Sequence, residues 1–127
     1  MTRLRDDEHS TEFGLWLRGQ EPYPPRPELD SRIKHFITTN IDYLWKNYKT
    51  NKWMLIEEKR YMAKVEFPQS TLFKYIDSVC KKDNNYCGFH VIQFENTNPE
   101  DGKIYLDGSL ITKDQLIEFL QFKSLTL

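Results

Sequence analysis

The sequence predicts an α/β domain built on a mixed central β-sheet flanked by helices. Two observations carry this. Runs rich in β-branched, aromatic and aliphatic residues at 41–48, 52–61 and 86–94 have the length and composition of strands. Leu72, Phe73, Ile76, Val79 and Cys80, and later Leu116, Ile117, Phe119 and Leu120, recur at helical spacing. Strands interleaved with helices in one chain favour layers of helix on sheet. A length of 127 residues suits one domain with a modest core of its own.

Taken in order, residues 1–10 are charged and polar and read as a flexible tail. Ser10 or Thr11 caps a short helix carrying Phe13, Leu15, Trp16 and Leu17, and Gly19 ends it. Pro22, Pro24, Pro25 and Pro27 make 20–31 an extended loop, because proline is excluded from helix interiors and central strands. A first strand is expected at 33–39 and a second at 41–48. After the polar break Lys49-Thr50-Asn51 comes a third, at 52–61, whose apolar half Trp53-Met54-Leu55-Ile56 runs abruptly into Glu57-Glu58-Lys59-Arg60. Pro68 and Gln69 open the second helix, which fades at Asp83-Asn84-Asn85. A fourth strand spans 86–94. Asp107-Gly108 between two short apolar runs is a two-residue hairpin signal. Thr112 and Gln115 fit a capping box in front of the last helix. The whole of 11–127 is expected to be one domain.

Composition narrows the function classes. A hydrophobic fraction of 39% excludes a disordered chain, and a net charge of −1 excludes a protein that coats nucleic acid by bulk positive charge. No window approaches the roughly 20 apolar residues of a membrane span, and the start lacks a signal-peptide core, so no membrane contact and a cytoplasmic location are expected. Cys80 and Cys87 are too few for a disulfide scaffold and read as core or near-core thiols. Of the histidines, His9 falls in the tail, His35 opens the first strand, and His90 alternates with Ile92 and Phe94 as a packed core residue.

The chemistry is concentrated at Asp42, Glu57 and Lys59. If 41–48 and 52–61 form an antiparallel hairpin turning near Thr50, opposed residues have numbers summing to about 99 to 101. A sum of 99 sets Asp42 opposite Glu57, and a sum of 101 sets it opposite Lys59. In both registers the three side chains share one face, while Glu58 takes the other. An even sum would pair Asp42 with Glu58 instead, and the sequence alone leaves that register open. Two carboxylates at the end of apolar strands repel each other and lose solvation, and a divalent cation removes both penalties. Oxygen ligands of this kind suit Mg²⁺ or Mn²⁺, with the Glu58 backbone carbonyl as a further ligand. Lys59 then orients a water and offsets charge on a phosphate, which completes the parts needed to hydrolyse a phosphodiester. The same Glu-Glu-Lys-Arg run also fits a solvated, charge-balanced strand end.

Asn40-Ile41-Asp42 followed by Glu57-Glu58-Lys59 resembles the PD-(D/E)xK nuclease superfamily, over roughly residues 11–95. Ile41 stands where the family name has proline. The chain also looks similar to small phage and prophage proteins carrying an Asn-Ile-Asp-Tyr and a Glu-Glu-Lys-Arg segment. The resemblance implies a restriction-endonuclease-like core of order αβββαβ, catalysis by Asp42, Glu57, Lys59 and Gln69, and a Mg²⁺- or Mn²⁺-dependent DNA endonuclease, resolvase-like in size, in a prokaryotic or phage-infected cell. It implies Glu12 on the first helix as a further metal ligand, against its ordinary reading as a helix-start carboxylate. Tyr75 follows Gln69 at the spacing of a Gln-and-Tyr motif of some members, but reads more simply as packing. Lys49, Lys52, Arg60 and Lys64 are the expected DNA-binding residues, with Lys46, Lys74, Lys81 and Lys82 nearby. A chain this small would cut two strands as a homodimer. The competing expectation is a non-catalytic phage or prophage protein that uses the same fold to bind DNA or a host protein.

Overall fold

The structure, a computed structural model, describes residues 12–29, 34–35 and 39–123. The chain divides into two compact units, 1–40 and 41–127. Within the first, helix α1 (Glu12–Leu17) ends at Gly19, whose φ of 61° suits glycine; a Cβ there would lie 2.6 Å from the Pro25 backbone. The Arg26 guanidinium stacks 4.6 Å over the Trp16 ring, and a 3-10 turn follows at Pro27–Leu29. The expected cap at Ser10 or Thr11 lies outside the described residues. So does most of the expected first strand at 33–39, whose described members Lys34, His35 and Thr39 are not in strand.

The second unit holds β1 (Tyr43–Lys46), β2 (Trp53–Lys59), α2 (Phe67–Cys80), β3 (Tyr86–Phe94), β4 (Ile104–Leu106), β5 (Ser109–Ile111) and α3 (Lys113–Leu120). The five strands form one sheet in the order β1-β2-β3-β4-β5. Only the β2–β3 pair is parallel, because α2 carries the chain back across the sheet between them. The sheet is therefore mixed, as expected. No helix among the described residues is long and apolar enough to cross a membrane.

Each boundary has a local cause. Asn47 turns the β1–β2 hairpin: its side-chain oxygen accepts from the N–H groups of Lys49 and Thr50, and Asn51 follows at a φ of 67°. β1 is therefore shorter than the expected 41–48. β2 stops at Lys59 rather than at 61, since Tyr61 and Met62 take φ of 54° and 58°, outside strand geometry. Asp107 and Gly108, at φ of 49° and 90°, make the primed turn between β4 and β5. Thr112 and Gln115 form both bonds of the capping box on α3.

Alternation along β2 divides the work of the sheet. Its even residues Met54 and Ile56 join Ile92, Phe94, Ile104, Leu106 and Ile111 in the core that α3 covers through Leu116, with Phe119, Leu120 and Phe122 packed around it. The Trp45 indole donates to the Leu120 carbonyl at 2.7 Å and ties the edge strand to the end of α3. The odd residues face α2, where Phe73 stacks on Phe89 at 4.3 Å between ring centroids and the Tyr86 hydroxyl donates to Asp77 at 2.6 Å. A one-residue bulge in β3 makes this possible. Trp53 pairs with Tyr86 but Leu55 with Phe89, and Gly88 at a φ of 112° absorbs the extra residue. A Cβ at Gly88 would lie 2.8 Å from His90 Nε2. His90 is packed, as expected: its ring nitrogens meet Asp107 at 2.7 Å and the Cys87 carbonyl at 2.9 Å, and its edge meets Phe119. Two expectations fail. Cys87 is exposed beside the bulge, and Tyr75 points to solvent on α2 at 67% exposure instead of packing.

Phe73 should be the residue on which the placement of α2 depends. Phe73→Ala is expected to lower the unfolding free energy in urea by about 3–5 kcal/mol, against about 1 kcal/mol for Thr112→Ala.

Candidate functional site

The hairpin register decides the site. Tyr43 pairs with Ile56, Leu44 with Leu55, Trp45 with Met54 and Lys46 with Trp53, so every pair sums to 99. Continued by one residue, that register sets Asp42 opposite Glu57 on the face that also carries Lys59. The even-sum alternative is excluded. Asp42 is not itself in the ladder. It stands one residue before β1, and its Oδ2 accepts the Glu58 backbone N–H at 2.8 Å, taking the place of the next strand residue.

Glu57 lies inside β2 and is the one buried charged residue among the described residues, at 4% exposure. β3 flanks it on one side, because β2 and β3 continue in parallel through Glu57–Val91 and Lys59–Gln93, and Asp42, one residue before β1, stands on the other. Its Oε2 meets the Lys59 ammonium at 3.3 Å and accepts from the Gln69 amide at 3.2 Å. Lys59 in turn donates to Gln69 Oε1 at 3.0 Å. The three side chains thus close a ring joining the end of β2 to the first turn of α2. Oε1 of Glu57 is buried and accepts from no protein N–H or O–H donor, and the Asp42 carboxyl lies within hydrogen-bonding reach of Glu57. Burial first, then the Asp42 charge, push the Glu57 carboxyl up to about 7 from 4.5, against the opposing pull of Lys59.

Glu58 points to the opposite face, where it accepts from the Tyr43 hydroxyl at 3.1 Å and pairs with Arg60 at 3.0 Å. Its backbone is another matter. The Asn47 N–H bonds the Lys52 carbonyl, so even residues of β2 direct their backbone groups toward β1. The Glu58 N–H and carbonyl therefore both face the Asp42 side.

Of the expected residues, the structure brings together Asp42, Glu57, Lys59 and Gln69. Glu12 belongs to the first unit, where the Tyr23 hydroxyl donates to its carboxylate. Arg60 is tied to Glu58 on the face away from the carboxylates. Lys49 and Lys52 lie at the hairpin turn, with Lys52 about 16 Å from Glu57 at strand spacing. Lys64 is exposed on the loop between Lys59 and Gln69. Lys81 is paired with Asp77. Among the described residues no group of three or more His, Cys, Asp or Glu side chains is placed to hold a metal ion. Sequence reasoning missed the Asp42 bond to the Glu58 N–H, and the turn at Tyr61 and Met62. Neither has a sequence signal, since both depend on where β1 and β2 stop. Comparison with family models, curated proteins and solved structures finds no match.

Glu57 makes stability depend on pH in a defined direction. The folded state holds its proton more tightly than the unfolded chain does. The stabilisation is therefore full below pH 4.5 and is lost as pH rises through about 7. Its size is roughly 3 kcal/mol. Glu57→Gln keeps the shape and removes the titration. Urea unfolding from pH 4 to 8.5 should show a larger fall in wild type than in the variant, which should be the more stable of the two at pH 8.5.

Proposed function

We propose that this protein is a divalent-metal-dependent phosphodiesterase acting on DNA, with Asp42, Glu57, Lys59 and Gln69 as its working residues. One observation carries the reading: a buried Glu57 carboxyl set against a second carboxylate, Asp42, and a lysine. Such a group weakens the fold at neutral pH, and positions of that kind concentrate where a ligand compensates them. Two carboxylates, one with its pKa raised by burial and then by the other's charge, match the donor set of Mg²⁺ or Mn²⁺. Asp42, Glu57 and the Glu58 carbonyl would hold the ion. When bound, it would supply Lewis acidity, acidifying a water and neutralising phosphate charge.

The remaining residues divide the other tasks. Lys59 orients the attacking water and offsets the negative charge that builds on the phosphoryl oxygens. The water oxygen bonds to phosphorus, the bond to the leaving oxygen breaks, and the water's proton is released as that oxygen is protonated. Gln69 bonds both Lys59 and Glu57 and fixes their separation. Asp42 is held by the Glu58 N–H, so its second oxygen stays directed by the backbone. Lys64, exposed on the loop between β2 and α2, would meet a neighbouring phosphate. The restriction-endonuclease-like core, the resolvase-like role and the homodimer belong to this same reading, which rests on the resemblance of the Asp42 and Glu57-Glu58-Lys59 segments.

A non-catalytic protein that binds DNA or another protein through this fold is the second reading. It draws on the closed Lys59–Glu57–Gln69 ring and on the small number of acidic side chains gathered there. The two part on cleavage. With Mg²⁺ or Mn²⁺ and linear, circular, single-stranded or branched DNA, wild type should cleave at least one substrate. Asp42→Ala and Lys59→Ala should each lose about 100-fold or more. Activity surviving both substitutions would contradict the site; no cleavage and no calorimetric metal binding would favour the second reading.

A further inference from the structure

The chain between Lys59 and Gln69 leaves the sheet in an unusual way. Tyr61 and Met62 are consecutive residues at φ of 54° and 58°, a region that non-glycine side chains occupy at a cost. The turn is nevertheless firmly held. The Tyr61 N–H donates to the Asn96 carbonyl and the Met62 N–H to the Phe94 carbonyl, both at 2.9 Å. Ala63 donates to the Arg60 carbonyl at 3.0 Å, and its own carbonyl accepts from Gln93 at 3.0 Å. Four bonds fix this backbone, yet Tyr61 stays 68% exposed, while Met62 is 37% exposed. The segment ends at Phe67, the first residue of α2, which is 81% exposed.

Both ends of this segment belong to the candidate site, because Lys59 and Gln69 are bonded to each other at 3.0 Å. Tyr61, two residues after Lys59, and Phe67, two residues before Gln69, are both exposed, with exposed Lys64 between them in the chain. Aromatic faces next to a cation are the combination that binds unpaired bases, since each base stacks on a ring while the ammonium meets the backbone. A continuous duplex keeps its base faces stacked internally and has no use for such rings. We infer that the 60–67 segment is a stacking platform for unpaired bases, and that the nucleic acid held at this site is single-stranded around the bond to be cut. This inference rests on the phosphodiesterase reading and names its substrate class.

The test is fluorescence anisotropy with a labelled 20-mer oligothymidylate and a labelled duplex of equal length, with Ca²⁺ replacing Mg²⁺ to prevent cleavage. Wild type should prefer the single strand. Tyr61→Ala and Phe67→Ala should each weaken oligothymidylate binding by about 5- to 150-fold with little effect on the duplex. Tyr61→Phe, which keeps the ring, should bind as wild type, and circular dichroism should report the same fold throughout. Unchanged oligothymidylate binding in both alanine variants would overturn the platform, as would an equal loss on the duplex. Loss of a concentration-dependent dimer in the alanine variants, without loss of oligonucleotide binding, would overturn it in favour of self-association. The two levels separate cleanly. Lys59-dependent cleavage of duplex by proteins that ignore Tyr61 would leave the phosphodiesterase standing and remove the platform. Absence of both cleavage and binding would remove both.

Discussion

The burial of the Glu57 carboxyl is the constraint around which the second unit is arranged. At 4% exposure, beside β3 and under α2, its carboxylate loses solvation that only charge or hydrogen bonds can replace. Lys59 and Gln69 meet one of its oxygens, and its remaining close polar neighbour is the Asp42 carboxyl. Asp42 worsens the balance, because its own carboxylate is pinned close by the Glu58 N–H. The chain holds two like charges together with one lysine, a poor solution for stability alone and a suitable one for receiving a cation.

The strand that carries Glu57 tolerates this because its two faces are independent. The even positions of β2 belong to the aliphatic core under α3, which supplies the bulk of the buried apolar surface. The odd positions are left for α2 and the polar cluster. The bulge at Gly88 keeps β3 in step with this division. It places Phe89 and Val91 beside Leu55 and Glu57, and turns His90 to the other face. Losing that one extra residue would exchange the faces of everything after it. The polar cluster thus costs little to the core, since no side chain serves both.

Much of this was legible in the sequence, and for physical reasons. The strand at 86–94, the Asp107-Gly108 turn and the Thr112–Gln115 capping box follow from local chemistry, and each stands where its residues put it. The shared face of Asp42, Glu57 and Lys59 followed from period-two alternation once the turn was placed near Thr50, and the pairing sum of 99 agrees. Less legible was anything set by where pairing ends. Glu57 looked like the start of a charged strand end, but parallel pairing with β3 extends past it and buries it. Arg60 looked available for DNA, yet it pairs with Glu58 on the other face, and Tyr75 looked apolar enough to pack, yet α2 presents it outward. Charge and hydrophobicity identify such residues, whereas side-chain direction at an element's end depends on partners distant in sequence.

The protonation of Glu57 tests the account most directly. Its side-chain carboxyl carbon can be followed by ¹³C NMR from pH 4 to 9, without and with Mg²⁺. The account requires a midpoint near 7 without metal, displaced to clearly lower pH when Mg²⁺ is added. A midpoint in the ordinary carboxyl range near 4.5, unmoved by Mg²⁺, would contradict it.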